Sequence, residues 1–328
     1  MLNQMRTRSE AYFLKLFGAA TLRGAAETAA QSERSAAGEI SIPVDVFTLA
    51  TRKGFKIVED LSGPSCDEGQ LLPVSGGYRV RLRSTVTEAR KRFSLAHEIG
   101  HSYFYKDEGV GPRHVIGVLS AAERKAEERI CNLFASTLLM PRTTIRKQLQ
   151  ENVTGSPPSI VSGLRNIALR FKVSLPALLM RAASLELEKP TCLLIWSSFK
   201  PSPRKHANPK LRIEFSLGLG DWSNRRLWSG TPLTDVGILS AVRLYLTWKE
   251  EALGGVGQFT ITNSGTLDRD AVPCEVPEPK VTMSTRIMGV WKRETVHCMS
   301  ASALYSWRTD ENQRREYVVT AIIPTRDN

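Results

Sequence analysis

The chain has 328 residues, of which 41% are hydrophobic and 24% are charged, and its formal net charge is +12 at pH 7. This length favours two domains over one hydrophobic core, and the sequence has no run of about 18 apolar residues that would cross a bilayer. The five cysteines are scattered and form no CxxC pair, which argues against a disulfide framework or a thiolate zinc site, so we expect a soluble protein of the reducing cytoplasm.

The first predicted elements precede any chemical motif. Residues 1–40 are rich in alanine and charged residues but hold few large apolar side chains, so we expect a loosely ordered helical extension. A short helix then ends at Gly54, before the strand pattern FKIVE at residues 55–59. Residues 77–84, GYRVRLRS, alternate apolar and arginine side chains, which predicts a half-buried strand.

Two longer helices are predicted next. Thr85 and Glu88 have the spacing of a capping box, which predicts the start of a helix through the stretch KRFSLAHEIGHSYF. Ser120 and Glu123 repeat that spacing, and Pro141 stops the helix that they begin.

The second half of the chain changes in character. Two short helical patterns at residues 160–171 and 174–185 resemble a helix-turn-helix. Beyond a boundary near residue 188 the chain becomes strand-rich, with one helical candidate at residues 238–248. The strand patterns lie at residues 191–199, 211–219, 258–263 and 316–323.

The stretch KRFSLAHEIGHSYF carries two of the chain's five histidines, His97 and His101, four residues apart. Positions i and i+4 share one helix face, so both imidazoles can bind one metal ion. Glu98 is adjacent and can accept a proton from a water molecule at that metal. The small residues Ala96 and Gly100 leave room beside it. This pattern favours a zinc site over a helix that carries two spare histidines.

A third ligand is expected because catalytic zinc usually has three protein ligands and one open position. The downstream helix offers Glu127 and Glu128, and helical phasing alone does not choose between them. Glu127 falls on the apolar line of Ile130 and Phe134, where a carboxylate is costly unless it is paired or bound to metal. This argument slightly favours Glu127 as the buried one of the two, and the choice of ligand stays open at this point.

The group that would stabilise a transition state is not identified by the sequence. Tyr103, Arg113 and His114 follow the histidine motif closely. Ordinary packing or surface roles are favoured for each of the three over a catalytic role.

The segments RFSLAHEIGH and ERICNLFASTLLMP resemble the two signature segments of the ImmA/IrrE-type metallopeptidases. The resemblance extends over about residues 42–187. It implies that Glu128 is the third zinc ligand beside His97 and His101. It also makes Asn132, one helical turn later, a residue that orients a ligand through a hydrogen bond.

The resemblance also implies a function. Members of this family typically cleave a helix-turn-helix repressor and so relieve transcriptional repression, as in stress responses. The expected activity is therefore that of a zinc endopeptidase with Zn²⁺ as cofactor, Glu98 as general base and a helix-turn-helix repressor as substrate. The helix-turn-helix-like pair then belongs to the peptidase module or to its substrate-docking surface.

The alternative hypothesis is a DNA-binding or repressor-sequestering regulator with a non-catalytic zinc site. The net charge of +12 attracts polyanions without identifying one, and direct DNA binding is the less favoured outcome. Glu98 separates the two hypotheses, because a structural metal site needs the histidines but no general base.

The patterns together predict an α+β protein. A mainly helical, zincin-like metallopeptidase module with a small sheet would be followed by an α/β C-terminal domain. The expected divisions are the helical extension at residues 1–40, the metallopeptidase module with its helix-turn-helix-like part at 41–188, and a strand-rich regulatory or partner-binding domain at 189–328.

Overall fold

The chain divides into two compact units, of which the first contains residues 1–145 and 169–177 and the second contains residues 146–168 and 178–328. Residue 188, the predicted domain boundary, lies outside the described residues, so that boundary stays a prediction. The computed structural model describes residues 6–39, 41–61, 68–74, 76–107, 112–185, 187, 192–200, 210–233, 274–288, 290–308 and 314–324.

The first unit combines helices with two small sheets. Its strands form a three-stranded sheet in the order β1-β3-β2 and a two-stranded hairpin of β4 and β5. The helices are α1 (Arg8–Leu16), α2 (Leu22–Ala36), α3 (Val46–Arg52), α4 (Glu88–Ser102) and α5 (Ala121–Leu139). The strands are β1 (Phe55–Leu61), β2 (Gly69–Val74), β3 (Gly77–Arg83), β4 (Tyr105–Asp107) and β5 (Pro112–His114).

The N-terminal helices are more firmly packed than the sequence suggested. In α2, Ala25, Ala26 and Ala29 are fully buried, and the helix contacts α5. The absence of large apolar side chains led us to expect loose docking. The alanines instead allow firm packing, because their small side chains let α2 and α5 approach closely.

Helix α1 is anchored to α5 through Glu123. The Glu123 carboxylate accepts hydrogen bonds from the backbone N–H of Arg8 at 3.0 Å, from the backbone N–H of Ser9 at 3.0 Å and from the Ser9 hydroxyl at 2.9 Å. These N–H groups belong to the first turn of α1, where no partner exists within the helix. Hydrogen bonds from Ser9 and Arg8 lower the pKa of Glu123 to about 2.

Helix α4 begins two residues later than the predicted capping box requires. Its N-cap is Thr87, whose hydroxyl accepts a hydrogen bond from the backbone N–H of Arg90. The prediction that Thr85 caps this helix is wrong. Ser120 caps α5 as predicted, but the Glu123 side chain does not complete a capping box, because it binds α1 instead.

Three helices follow α5 in the chain. They are α6 (Arg142–Asn152), α7 (Pro157–Phe171) and α8 (Leu175–Ala183). The last two correspond to the predicted helix-turn-helix-like patterns, and the Ser174 hydroxyl accepts a hydrogen bond from the Ala177 backbone N–H at the start of α8. Helix α6 was not among the predicted elements.

The strand-rich part of the second unit forms an antiparallel sheet in the order β7-β6-β11-β10-β9-β8. One of its faces carries a buried cluster that includes Leu193, Ile213 and Val318. The sequence predicts a loop at residues 268–280, which are dense in proline and charge, but those from Cys274 onwards belong to β9. The helical candidate at residues 238–248 lies outside the described residues. The strands are β6 (Cys192–Lys200), β7 (Lys210–Leu219), β8 (Arg225–Arg226), β9 (Cys274–Ile287), β10 (Val290–Arg308) and β11 (Arg314–Pro324).

The architecture is that of an α+β protein, with a mainly helical module followed by a strand-rich region, and this confirms the predicted fold class. Within the described ranges, no helix has both the length and the apolar composition that crossing a bilayer requires.

We predict that Glu123→Gln lowers the free energy of unfolding by about 1–3 kcal/mol at pH 7, because hydrogen bonds to a charged carboxylate are lost. The pKa of Glu123 is lower in the folded chain than the roughly 4.3 expected after unfolding, so its contribution is present above about pH 5 and disappears as pH falls towards 2. Urea unfolding across this interval should show the difference between variant and parent shrinking.

Glu151→Gln is the matched control for this prediction, because the Glu151 side chain is 50% exposed. It should change the free energy of unfolding by less than about 0.5 kcal/mol. Equal stability of the Glu123→Gln variant and the parent at pH 7 would contradict the anchoring role.

Candidate metal centre

Helices α4 and α5 lie against each other at Gly100. A Cβ atom on Gly100 would lie 3.2 Å from Cα of Cys131 and 3.2 Å from Cδ1 of Phe134, both in α5. The glycine therefore lets the two helices approach more closely than a larger residue would allow. Gly100 was predicted to leave room beside a metal, but the position of its missing Cβ faces α5.

This close approach brings the two histidines of α4 opposite polar side chains of α5. His97 Nδ1 lies 3.1 Å from Asn132 Oδ1, and His101 Nδ1 lies 2.8 Å from Glu127 Oε1. Both oxygens accept hydrogen bonds from Nδ1–H, so Nε2 is the nitrogen of each ring that can bind a metal ion once the ring is neutral. The two Nε2 atoms face each other at 3.0 Å.

Glu128 supplies a third donor at the same point. Its Oε2 lies 3.2 Å from His97 Nε2, and its Oε1 lies 3.4 Å from His101 Nε2. The Glu128 side chain is 56% exposed, whereas that of Glu127 is 6% exposed. Helical phasing correctly identifies Glu127 as the buried carboxylate, but Glu127 faces the Nδ1 side of His101, away from the point where the Nε2 atoms meet.

The three donors fit a zinc ion. In a tetrahedral zinc site, ligand atoms about 2.0–2.1 Å from the metal lie roughly 3.3 Å from one another. The two histidine Nε2 atoms lie 3.0 Å apart, and each has a Glu128 carboxylate oxygen nearby: Oε2 is 3.2 Å from His97 Nε2 and Oε1 is 3.4 Å from His101 Nε2. One donor atom from each of the three residues lies within 4.8 Å of the others. Two imidazoles and one carboxylate also form the donor set of catalytic zinc sites that keep an open fourth position.

The electrostatics around these donors favour a positive charge. Burial by itself lowers the pKa of His101, but hydrogen bonds with Cys131, Glu127 and Glu128 outweigh burial and raise that pKa overall. Hydrogen bonds from His101 and His97 lower the pKa of Glu128. Burial raises the pKa of Cys131 to about 11, so this side chain is a neutral thiol at neutral pH. The carboxylates of Glu127 and Glu128 therefore favour a cation at this point, and a divalent metal ion would supply that charge.

Glu98 lies beside the donor set and next to strand β2. Glu98 is only 6% exposed, and it forms a hydrogen bond with the backbone of Leu71. A Cβ atom on Gly69 would lie 2.9 Å from Glu98 Oε1 and 3.2 Å from Ser94 Cβ, so a side chain at position 69 would displace the Glu98 carboxylate from its present position. Burial raises the pKa of Glu98, and the neighbouring imidazoles of His101 and His97 oppose that rise.

A cleft of about 520 Å³ contains the donor set and Glu98. Residues 69–71 of β2 form one part of its wall, and Phe93 of α4 also lines it. The hairpin of β4 and β5 contributes Tyr105 and His114, which are direct cross-strand partners. The cleft therefore draws on α4, α5, the edge strand of one sheet and the hairpin.

Tyr105 is a residue that the sequence analysis missed. Its phenol lines the cleft, and burial raises its pKa, so it stays protonated and able to donate a hydrogen bond at neutral pH. No sequence signal separates it from Tyr103, which instead donates its hydroxyl to Glu33. Arg113 is exposed, whereas His114 lines the cleft and binds Glu127.

Comparison with protein families gives a match of residues 50–183 to the peptidase M78 family model, described as an IrrE N-terminal-like domain. The chain carries an IrrE N-terminal-like domain. This domain, called the M78 domain below, contains every candidate metal donor and Glu98. The family resemblance of the two signature segments is thereby confirmed.

Two further comparisons concern curated proteins and solved structures. No curated protein matches the chain. A Mycobacterium tuberculosis transcriptional regulator of known structure is similar at 12% identity with a TM-score of 0.47, and the alignment covers 96% of this chain and 79% of that chain.

For the M78 domain, we expect Glu128→Gln to weaken binding of divalent metal far more than Glu127→Gln does. Glu128 Oε2 and Oε1 approach the Nε2 atoms directly, whereas Glu127 reaches the metal site only through His101 Nδ1. Loss of such an indirect partner typically costs about 10–100-fold in metal affinity. Elemental analysis and competition with a chromophoric chelator would measure both variants, and the reverse order would mean that Glu127 is the ligand.

Proposed function

We propose that the protein is a zinc-dependent endopeptidase that cleaves a specific protein substrate, a helix-turn-helix transcriptional repressor, and so relieves repression. The observation that carries this proposal is the position of Glu98. Its buried carboxylate lies beside three metal-donor atoms in an open cleft. A purely structural metal site would have no use for such a carboxylate or for such a cleft.

In this proposal His97, His101 and Glu128 hold the zinc ion. Asn132 and Glu127 accept hydrogen bonds from the Nδ1–H groups of His97 and His101, and so orient each Nε2 towards the metal position. When bound, zinc would act as a Lewis acid towards the peptide carbonyl and would activate water at neutral pH.

Glu98 is the proposed general base and acid. Its carboxylate accepts a proton from the attacking water and then passes that proton to the leaving amine of the cleaved bond. Burial supports this role, because it raises the pKa of Glu98 above the ordinary value for a carboxylate and towards the working pH. The hydrogen bond with the Leu71 backbone holds the carboxylate in position.

Strand β2 is the proposed binding edge for the substrate. Among the strands that the structure describes, β2 pairs only with β3 and so lies at one end of its sheet, while residues 69–71 line the cleft. An edge strand offers unpaired N–H and C=O groups, and an extended peptide can add to it as a further strand. A scissile bond held in this way would pass close to Glu98.

The substrate class rests on the family resemblance of the M78 domain. A repressor must present an extended segment to β2, so a linker between its folded parts is the expected cleavage region. The alternative, a regulator that sequesters the repressor or binds DNA without cutting anything, needs no general base.

We predict that Glu98→Gln retains metal content and fold but lowers hydrolysis by about 10²- to 10⁴-fold, because the substitution removes the proton acceptor and keeps the side chain's size. Zinc-loaded protein would be incubated with helix-turn-helix repressors of the same genome, beginning with any encoded by an adjacent gene. Mass spectrometry would detect the fragments.

Glu88→Gln provides the control for that experiment. Glu88 lies in the first turn of the same helix and is exposed, so its replacement should leave hydrolysis unchanged within about twofold. If the parent protein yields no fragments and the Glu98→Gln variant relieves repression as well as the parent does, sequestration replaces catalysis as the function.

We further predict that Tyr105→Phe lowers kcat by about 10²- to 10³-fold with little change in KM, because its hydroxyl can donate to the oxygen that becomes negative in the transition state. Tyr103→Phe is the matched control: it removes a hydroxyl bonded to Glu33 and should leave kcat unchanged. Equal kcat values for Tyr105→Phe and the parent would exclude this role.

A further inference from the structure

His114 occupies a defined place on the hairpin of β4 and β5. Its ring stacks on Phe104 with centroids 6.1 Å apart and meets Tyr105 edge-on at 5.2 Å. The side chain is half-buried and lines the cleft. Packing alone would account for these ring contacts, and an aromatic residue without nitrogen atoms would make them equally well.

His114 also forms two hydrogen bonds through its ring nitrogens, and these are not needed for its ring contacts. The backbone N–H of Ile116 donates to His114 Nδ1 at 3.2 Å, so Nδ1 is an acceptor and the ring proton resides on Nε2. His114 Nε2 then donates to Glu127 Oε2 at 2.9 Å. The hairpin therefore fixes both the orientation and the tautomer of this imidazole.

Glu127 joins His114 to the metal-donor set. Its other oxygen, Oε1, lies 2.8 Å from His101 Nδ1, and the residue is only 4% exposed. A buried carboxylate needs a hydrogen-bond donor on each oxygen, because water cannot replace a lost partner at little cost. Without His114, Oε2 would lack this donor, and the carboxylate would be free to rotate away from His101.

We propose that His114 is a positioning residue that sets the metal affinity of the site through Glu127. His114 holds the Glu127 carboxylate, Glu127 holds the Nδ1 proton of His101, and His101 Nε2 is thereby kept as a metal donor. His114 itself is not a ligand, because its Nε2 proton is committed to Glu127. This inference rests on the metal site of the proposed function but not on peptidase activity.

The test uses two variants with opposite properties. His114→Phe keeps an aromatic ring against Phe104 and Tyr105 but removes the donor, whereas His114→Gln removes the ring and keeps an N–H group that can reach Glu127. The dissociation constant for Zn²⁺ would be measured on the full chain by competition with a chromophoric chelator. Circular dichroism of the metal-free proteins would verify that each variant is folded.

If His114 acts through its hydrogen bond, His114→Phe weakens Zn²⁺ binding by about 10–100-fold and His114→Gln stays within about threefold of the parent. If His114 serves packing only, the order reverses, and the inference is wrong. Equal affinities for all three proteins would also overturn it. Absence of Zn²⁺ binding by the parent would instead overturn the metal site of the proposed function.

A double variant tests whether the effect passes through Glu127. Residues that act in one chain of contacts give non-additive effects, so Glu127→Gln combined with His114→Phe should weaken Zn²⁺ binding no more than Glu127→Gln alone. Additive losses in the double variant would show that His114 affects the metal site by a route other than Glu127.

Discussion

The close contact of α4 with α5 at Gly100 is the constraint on which the candidate site depends. The histidines lie on α4, whereas Asn132, Glu127 and Glu128 lie on α5. Hydrogen bonds of 2.8 and 3.1 Å join these groups across a helix contact in which a Cβ at position 100 would lie only 3.2 Å from Cys131 Cα, so a larger residue there would require α5 to shift. A side chain there would separate the donor set without touching any member of it.

A second glycine has a comparable role on the other side of Glu98. Gly69 lets the edge strand β2 pass beside the carboxylate, and the Leu71 backbone then forms a hydrogen bond with Glu98. The proposed general base is therefore positioned by the same strand that is proposed to bind the substrate. This coupling would hold a peptide bond and the proton acceptor in a fixed relation, which is the main requirement of general acid-base catalysis.

Several sequence predictions depended on local patterns and agree with the structure. Alternation predicted β3, helical spacing predicted the course of α4 and α5, and the i, i+4 relation correctly put His97 and His101 on one helix face. Errors arose where local rules compete. Thr87 caps α4 in place of Thr85, and the alanines of α2 are buried because small side chains suit a close helix contact. Helix α6 and strand β2 were missed.

The sequence by itself determined the chemical inventory: two histidines at helical spacing, an adjacent glutamate, a downstream pair of acidic residues and an α+β pattern of elements. Periodicity is a local property, so one chain can reveal it. The tertiary structure decided which partner each group meets. In the folded chain, Glu127 faces His101 Nδ1, whereas Glu128 lies next to the Nε2 atoms. Tyr105 and His114 line the cleft because both lie on the hairpin of β4 and β5. Those contacts join residues far apart in the chain or on different elements, and no spacing rule encodes the distance between two packed helices.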